Sequence, residues 1–281
     1  MPNEEKRTLS EGLLRAYASA LEQEEKRPAT IEKYVRDVRT FSRFLSGRPV
    51  TKERTIAYKE YLTSQYAVRS TNSMLASLNS FLRFAGWSDC AVRQLKTQRR
   101  MFCPEAEALT KEEYRKLLRI AKSRDEKLYL ILLTLGSTGI RIGELKAVTA
   151  EAVQSGKALV FCKSKIRTIF FPERLQERLE TFVLQWEIWE GPVFRTRTGK
   201  PLDRSNVWKK LKSLCQEAGV PPAKVFPHNF RHLFARTFYE AEKDLAKLAD
   251  VLGHSSMDTT RIYILSDGAE HRKQLNQLDL V

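Results

Sequence analysis

Apolar residues recur at helical spacing through the first 85 residues of the chain. The segment LSEGLLRAYASALEQEE shows this spacing, and Pro28 interrupts it before a second amphipathic segment, TIEKYVRDVRTFSRFLSG, which Gly47 closes. The pattern predicts a third helix near residues 51 to 64 and a fourth along NSMLASLNSFLRFAGW, ending at Gly86. No segment here alternates as a strand would, so we expect a compact helical domain.

The second half mixes helices with one hairpin. Thr110 and Glu113 have the spacing of a capping box, and a buried helix is predicted over residues 128 to 135. The segment GSTGIRIGEL combines a glycine turn with a new helix start. Residues 159 to 162 and 167 to 171 flank a short basic turn and predict a β-hairpin. The remainder reads as helical apart from a loop at GPVFRTRTGKPL, so the expected fold class is mainly α with a small β-hairpin or sheet.

These patterns divide the chain into four parts. Residues 1–92 are expected to form the helical domain, and residues 109–265 the mixed, mostly α domain. Residues 93–108, RQLKTQRRMFCPEAEA, lack periodicity and read as a linker, basic at first and then acidic. Residues 266–281 form a tail with a short amphipathic pattern.

The charge balance indicates a class of partner, which the hydrophobic pattern does not. Lysine and arginine outnumber the acidic residues 49 to 34, which gives a formal charge of +15 and a pI near 9.7. Such a balance indicates a nucleic-acid partner, although a ribosome-associated or membrane-surface protein shares it. The four cysteines, at 90, 103, 162 and 215, contain no CxxC pair, and the N-terminus has no apolar signal core. We therefore expect a soluble, cytoplasmic protein.

Three of the four histidines lie within one 27-residue stretch. His228 and Arg231 are three residues apart after a proline that suits a helix start, so they are expected to share one helical face. His232 has the spacing of a metal-ligand pair with His228, but the glutamate of a zinc hydrolase motif is missing. No metal site is predicted, and His232 is expected to pack or hydrogen-bond locally.

The segment LADVLGHSSMDTTRIYI predicts two short helices joined by a tight turn. Gly253 ends the first helix, and Ser255 is positioned to cap the second. His254 then lies at the junction, and Tyr263 lies near the end of the second helix. In one unbroken helix these two side chains would face opposite ways, whereas a turn at Ser255 allows them to converge. Periodicity alone favours a Tyr263 that packs between two isoleucines.

The order of the motifs GSTGIRIGEL, a hairpin lysine, HNFRH, LGHSS and TRIY resembles the tyrosine recombinase, or phage integrase, family. The resemblance covers roughly residues 108–265. The first half resembles, less specifically, the core-binding domain of the family. The resemblance implies a core-binding domain and a catalytic domain that together form a clamp around double-stranded DNA.

The resemblance also implies a role for each motif residue. The catalytic set carried over is Arg141, Lys163, His228, Arg231, His254 and the nucleophile Tyr263, with Lys165 as the alternative lysine and Glu144 as a supporting acid. Phe230 replaces the usual leucine between His228 and Arg231, which is a conservative change. Taken singly, Arg141 could instead cap a helix or pair with Glu144, and each lysine could be a solvated turn residue.

The residue types suit metal-free phosphoryl transfer. Forked guanidinium donors match the non-bridging oxygens of a phosphate that gains charge in the transition state. The family implies that His228 accepts or shares the tyrosine proton, that His254 donates to phosphate, and that the lysine protonates the leaving 5′ oxygen. A 3′-phosphotyrosyl bond conserves the energy of the cleaved bond, so neither ATP, metal nor another cofactor is expected.

Basic segments outside the motifs are the candidates for DNA contact. They are Arg36, Arg39, Arg43, Lys165, Arg195, Arg197 and Lys200, with Ser205 and Asn206 at a helix start after Asp203. The family implies a homotetramer on two DNA sites, in which the tail docks on a neighbouring protomer. Accessory DNA-bending or directionality proteins are possible further partners. Packing of the tail on its own domain is the alternative. Little chain precedes the first helix, so we expect no additional arm-binding domain.

The sequence is compatible with four functions. Integration and excision, or cointegrate resolution, of a mobile element is favoured, and resolution of chromosome dimers is the alternative. A DNA-binding regulator without catalysis and a DNA-relaxing topoisomerase fit the intact motif set less well.

Overall fold

A computed structural model describes residues 7–96, 108–162, 165–196, 198–254, 256–261 and 276–277. Contacts divide the chain into two compact units, Met1–Arg99 and Arg100–Val281. Helices dominate both units, and the strands of the described residues form one two-stranded sheet, which confirms the predicted fold class.

Four α-helices build the first unit: α1 (Glu11–Gln23), α2 (Pro28–Leu45), α3 (Lys52–Gln65) and α4 (Val68–Phe84), followed by a 3₁₀ turn at Ser88–Cys90. Helix α2 begins on its proline and ends at Leu45, and its C-cap Ser46 has a left-handed backbone before Gly47. The inward stripes of the helices meet in one core that includes Leu14, Tyr17, Val38, Phe41, Tyr58, Leu62, Leu78 and Phe81.

Helix α4 begins four residues before the predicted start at Asn72. Its first turn, VRST, is largely polar, so apolar spacing could not reveal it. The Thr71 hydroxyl donates to the carbonyl of Leu62 on α3 and fixes this turn.

The start of the predicted linker is attached to α4. The side-chain amides of Asn72 and Asn79 each donate to and accept from the backbone of the segment that follows the 3₁₀ turn, at Leu95 and Val92. The rest of the linker, residues 97–107, lies outside the described residues.

The second unit contains α5 (Lys111–Arg124), α6 (Glu126–Thr138), a 3₁₀ helix (Ile142–Ala147), α7 (Ala150–Gln154), β1 (Lys157–Cys162), β2 (Lys165–Phe170), α8 (Glu173–Gln185), α9 (Arg204–Ser213), α10 (Cys215–Ala218), a 3₁₀ turn (Pro222–Lys224), α11 (Pro227–Glu242), α12 (Leu245–Leu252) and α13 (Met257–Arg261). The capping box at Thr110 and Glu113 is present. Helix α6 is the predicted buried helix, extended at both ends, and it packs against α5, α8, α9 and α11.

The hairpin is antiparallel and slightly longer than predicted. Its register pairs Cys162 with Lys165 and Val160 with Arg167, so β2 starts two residues earlier than expected. Residues 163 and 164, which join the strands, lie outside the described residues. One face of the sheet packs on the core through residues such as Ala158 and Ile169.

The starts of three further helices bear on the predicted site. The helix start in GSTGIRIGEL is a 3₁₀ helix, and α9 starts as expected after its cap, Asp203. Helix α13 begins at Met257, so Ser256, rather than the predicted Ser255, directly precedes it. Ser255 itself is outside the described residues.

Candidate active site

Arg231 occupies the centre of the candidate site. Pro227 provides the first residue of α11, and one turn later the Arg231 side chain points into the unit, where it is 2% exposed. Its Nη1 donates to the carbonyl of Gly139 at 2.5 Å, and its Nη2 donates to the carbonyl of Leu252 at 2.6 Å. The guanidinium thereby joins the ends of α6 and α12, where helices leave carbonyls without intrahelical partners.

Glycines allow the chain to turn at both of these ends. Gly139 has a φ of 60°, and a Cβ there would lie 2.4 Å from the ring of Phe234. Gly253 has a φ of 65°, and a Cβ there would lie 2.4 Å from Cδ of Arg167. A side chain at either position would combine a disfavoured backbone with a clash, so these turns require glycine.

His254 follows Gly253 and is held by two hydrogen bonds. Its Nε2 lies 3.0 Å from Nη2 of Arg231, and its Nδ1 lies 2.8 Å from the hydroxyl of the fully buried Thr260. A guanidinium can only donate, so Nε2 accepts and the proton of the neutral ring is on Nδ1, facing Thr260.

The histidines of the site favour the neutral form. Burial, together with the charges of Arg231, Arg141 and Arg167, lowers the pKa of His254 to about 4. Burial and the charges of Arg231 and Arg141 also lower the pKa of His228, which lies at the exposed start of α11. A neutral His228 can accept a proton, which is what a general base requires.

His232 lies one turn beyond His228 on α11 and is partly buried. Burial, followed by the nearby charge of His228, lowers its pKa to about 4. Among the described residues no three His, Cys, Asp or Glu side chains are grouped as a metal site would need.

Arg141 and Glu144 form the second part of the site. Arg141 directly precedes the 3₁₀ helix, and both its backbone amide and its Nη1 donate to the Glu144 carboxylate at 2.9 Å. Arg141 therefore occupies the N-cap position and forms the ion pair considered from the sequence, while the Glu144 carboxylate is the capping acceptor. The Arg141 side chain keeps 34% of its surface exposed, whereas Glu144 is buried, so Arg141 remains accessible to a ligand.

Arg167 is a residue of this cluster that the motif comparison did not include. It lies on β2, is 9% exposed, and donates to Glu144 at 2.5 Å and to the carbonyl of Val251 at 2.9 Å. Burial alone would raise the pKa of Glu144, but the Arg141 amide and the charge of Arg167 bring it below its ordinary value. The sequence did not indicate its inward register, because the neighbouring Ile166 is apolar and yet exposed on the opposite face of the strand.

Five of the predicted site residues thus come together: Arg141, Glu144, His228, Arg231 and His254. Tyr263 and Lys163 lie outside the described residues, as does Arg197. Lys165 begins β2, and its side chain is also outside the description. The choice between the two lysines stays a prediction.

The candidate DNA contacts are found in both units. Arg36, Arg39 and Arg43 are exposed on α2 and line a shallow groove with Glu11, which pairs with Arg39 at 3.3 Å. In the second unit, the exposed Ser205 and Asn206 lie in the first turn of α9.

Arg195 and Lys200 belong to the loop that precedes α9. A β-bridge pairs Arg195 with Pro201, and the carbonyl of Lys200 accepts from the amide of Thr196. No helix in the described part of the chain is long and apolar enough to cross a membrane.

Comparison with known proteins agrees with this geometry. The phage integrase family model matches residues 107–270, and the model of its N-terminal SAM-like domain matches residues 7–89. The tyrosine recombinase XerA of Pyrococcus furiosus is 29% identical over 267 residues, covering 92% of this chain and 90% of that protein. The tyrosine recombinase XerD of Halalkalibacterium halodurans is 29% identical over 259 residues, covering 83% and 86%.

Solved structures share the fold at lower identity. A lambda integrase dimer bound to a COC′ core site aligns with a TM-score of 0.74 at 21% identity, covering 93% of this chain and 96% of that one. The XerH recombinase bound to a palindromic difH substrate aligns with a TM-score of 0.74 at 16% identity, covering 96% and 89%. The catalytic family model alone spans more than half of the chain and includes every residue of the arginine–histidine cluster. The chain therefore belongs to the phage integrase family and is an enzyme of the tyrosine recombinase class.

Proposed function

We propose that the protein is a site-specific DNA recombinase that breaks and rejoins strands through Tyr263. The observation that carries the proposal is the convergence of Arg141, Arg231 and His254 around the end of α12. One guanidinium group is buried and one is partly exposed. Together they supply the positive charge that the pentacoordinate transition state at phosphorus needs when no metal is present. The helical unit and the catalytic unit would clamp double-stranded DNA, with the basic face of α2 against phosphates.

The chemical step follows from these roles. The Tyr263 oxygen attacks the scissile phosphorus, and His228 takes or shares its proton. The bond from phosphorus to the 5′ oxygen breaks, and Lys163, or Lys165 as the alternative, protonates that oxygen. The product is a 3′-phosphotyrosyl bond, which a 5′ hydroxyl from a second duplex attacks to form a Holliday junction.

His254 has to change its hydrogen bonding to act as a phosphate donor. In the present arrangement its Nε2 accepts from Arg231 and cannot also donate. A bound phosphate would draw the Arg231 guanidinium towards itself, and its negative charge would raise the pKa of His254. A protonated His254 would then donate from Nε2 to phosphate while Nδ1 keeps its bond to Thr260.

A covalent trap tests the proposal. A pool of nicked duplexes with a randomised core is incubated with the protein in EDTA, and complexes that resist SDS are captured and sequenced. Wild type should yield a defined site, and Tyr263→Phe should yield no adduct. An adduct that persists in Tyr263→Phe, or one that requires a divalent metal, would contradict the mechanism.

The same assay separates the other function classes. A regulator without catalysis would select a site without forming adducts. A topoisomerase would form adducts on many sequences and relax plasmids that lack the selected site.

For the biological role we propose integration and excision, or cointegrate resolution, of a mobile element, with resolution of chromosome dimers as the alternative. Plasmids that carry selected sites on separate molecules or as direct repeats distinguish these roles. Recombination between separate molecules supports integration, whereas recombination confined to direct repeats supports resolution of cointegrates or of chromosome dimers, which the genomic location of the selected site then separates.

We further propose that four copies assemble on two DNA sites and that the tail docks on a neighbouring protomer. Removal of residues 268–281 should then impair strand exchange more than binding of a single duplex. Unchanged recombination by the truncated protein would contradict the docking.

A further inference from the structure

Arg167 connects three elements that each carry or border a candidate catalytic residue. It lies on β2, two residues after Lys165. Its Nη2 contacts Glu144, which holds Arg141, and its Nη1 contacts the carbonyl of Val251, three residues before His254. The hairpin, the 3₁₀ helix and the end of α12 therefore meet at one side chain.

We propose that Arg167 is a positioning residue for strand cleavage, holding Arg141 and His254 in the relative placement that a phosphate requires. This inference rests on the proposed function and deepens it. Arg167 is too deeply buried to contact DNA, and its two terminal nitrogens are committed to protein acceptors. Its effect on the reaction is therefore exerted through the residues that it holds.

Glu144 transmits this effect on one side. One carboxylate oxygen, Oε2, accepts from both the Arg141 amide and Arg167, while Oε1 accepts from the Arg141 guanidinium. Without Arg167, the carboxylate loses one of its two cationic partners, and its remaining contacts no longer fix its plane. Arg141 then samples orientations that do not face the phosphate, which lowers the rate of a geometrically demanding step.

Gly253 transmits the effect on the other side. Arg167 passes so close to Gly253 that a Cβ could not fit between them, and His254 follows directly. The guanidinium also satisfies a carbonyl of the last turn of α12, where a positive charge is favoured by the helix dipole. Arg167 therefore sets the position of the turn from which the His254 ring projects.

The Arg167 side chain is not optimised for stability alone. Its Nε is buried without a hydrogen-bond partner among the described residues, which carries a desolvation cost. A residue retained only for packing could be apolar, whereas the forked guanidinium is needed to reach Glu144 and Val251 together.

The test uses the full chain and the nicked duplex selected in the covalent trap. Arg167→Met is compared with wild type and with Arg174→Met, a control at an exposed position on α8. We expect Arg167→Met to slow single-turnover adduct formation on saturating duplex by roughly 10–100-fold, the range known for partners that orient metal ligands. The DNA affinity of Arg167→Met should stay close to that of the control, because the substitution lowers the rate of adduct formation and not the binding of DNA. A wild-type rate for folded Arg167→Met would overturn the proposal.

A double-mutant cycle with Glu144→Gln tests the route through the carboxylate. If Arg167 acts through the carboxylate, Arg167→Met should slow Glu144→Gln several-fold less than it slows the wild type. Equal fold losses in the two backgrounds would overturn the proposed route.

Arg167→Lys keeps the proposal testable if thermal melting shows that Arg167→Met does not fold. A lysine can pair with Glu144 but does not fork to Val251, so a partial loss of roughly 10-fold is expected. A wild-type rate for folded Arg167→Lys would count against the positioning role. Adduct formation by wild type and Arg174→Met reports on the proposed function itself, so the two hypotheses fail separately.

Discussion

Both units bury a polar cluster, and the two clusters differ in their charge balance. In the first unit, the Lys33 ammonium donates to Asp37, to Ser77 and to the Ser73 carbonyl, while Ser77 also donates to Asp37. One ammonium faces one buried carboxylate, with Arg36 at the exposed rim. This cluster is closed, and it fixes α2 against α4.

The cluster of the second unit gathers more positive than negative charge. Arg141 and Arg167 pair with Glu144, the single carboxylate of this cluster among the described residues, whereas Arg231 contacts the carbonyls of Gly139 and Leu252 and the neutral His254. Carbonyl dipoles orient Arg167 and Arg231, and within the described residues the cations of this cluster outnumber its carboxylate. A closed cluster therefore serves structure, whereas a cluster with surplus positive charge is prepared for an anion.

The largest expected effect follows from changing a cation in the second cluster. Arg231→Lys keeps the charge but loses the fork that reaches Gly139 and Leu252 together. Loss of one preorganised donor to the transition state typically costs about 10²–10³-fold in rate, or roughly 2.7–4 kcal/mol. Single-turnover adduct formation on the selected duplex measures this loss of rate, with Arg174→Lys as the control. A loss no larger than that of the control would place Arg231 outside the site.

Acid should weaken the second unit selectively. All four histidines lie in the second unit, and the pKa values of His232 and His254, about 4, are below the ordinary 6.5. The unfolded chain takes up these protons first, so their contribution to stability is complete above about pH 6.5 and decreases as the pH falls towards 4. At about 1.4 kcal/mol per pKa unit, we expect a loss of roughly 1–3 kcal/mol for each histidine.

Hydrogen exchange, corrected for intrinsic rates, measures this loss in each unit separately. The first unit contains no histidine and is the internal control. His232→Gln should reduce the pH dependence of the second unit and leave the part that is due to His254. An equal loss of protection in both units between pH 6.5 and 4.5 would contradict the histidine origin.

Asp37→Ala should separate the roles of the two clusters. It leaves Lys33 and Ser77 without their shared acceptor, and since Lys33 can turn towards water, we expect a cost of roughly 1–3 kcal/mol to the first unit. Chemical denaturation measures the cost, with the exposed Glu32→Ala as the control. Adduct formation on saturating duplex should be unchanged, and a large loss in a folded variant would show that this cluster is not purely structural.

Local sequence signals predicted most of the fold. The Thr110 capping box, the apolar run of α6 and the proline of α11 each act within a few residues, so they are visible in a linear pattern. The polar first turn of α4 was missed because its partner is the carbonyl of Leu62 on another helix.

The candidate site was predictable only in part. Motif order identified Arg141, His228, Arg231 and His254, but their contacts join residues far apart in the chain. The Arg167–Val251 contact spans 84 residues, and nothing near either position in the sequence indicates it. The proton position on His254 likewise depends on Thr260 and Arg231, which lie on different helices.

The smallest expected effect tests the surplus charge directly. Inorganic sulfate should stabilise the second unit because it can bind beside the exposed part of Arg141, and this part of the gain, unlike any from the exposed α2 arginines of the first unit, should depend on Arg141. An anion at ten times its Kd stabilises a folded state by about 1.4 kcal/mol. Hydrogen exchange in sulfate, against chloride at equal ionic strength, measures both units in one sample. The gain in the second unit should disappear in Arg141→Met, and a gain there that persists in Arg141→Met would mean that sulfate acts by general exclusion from the surface or at another site, and not by binding at the cluster.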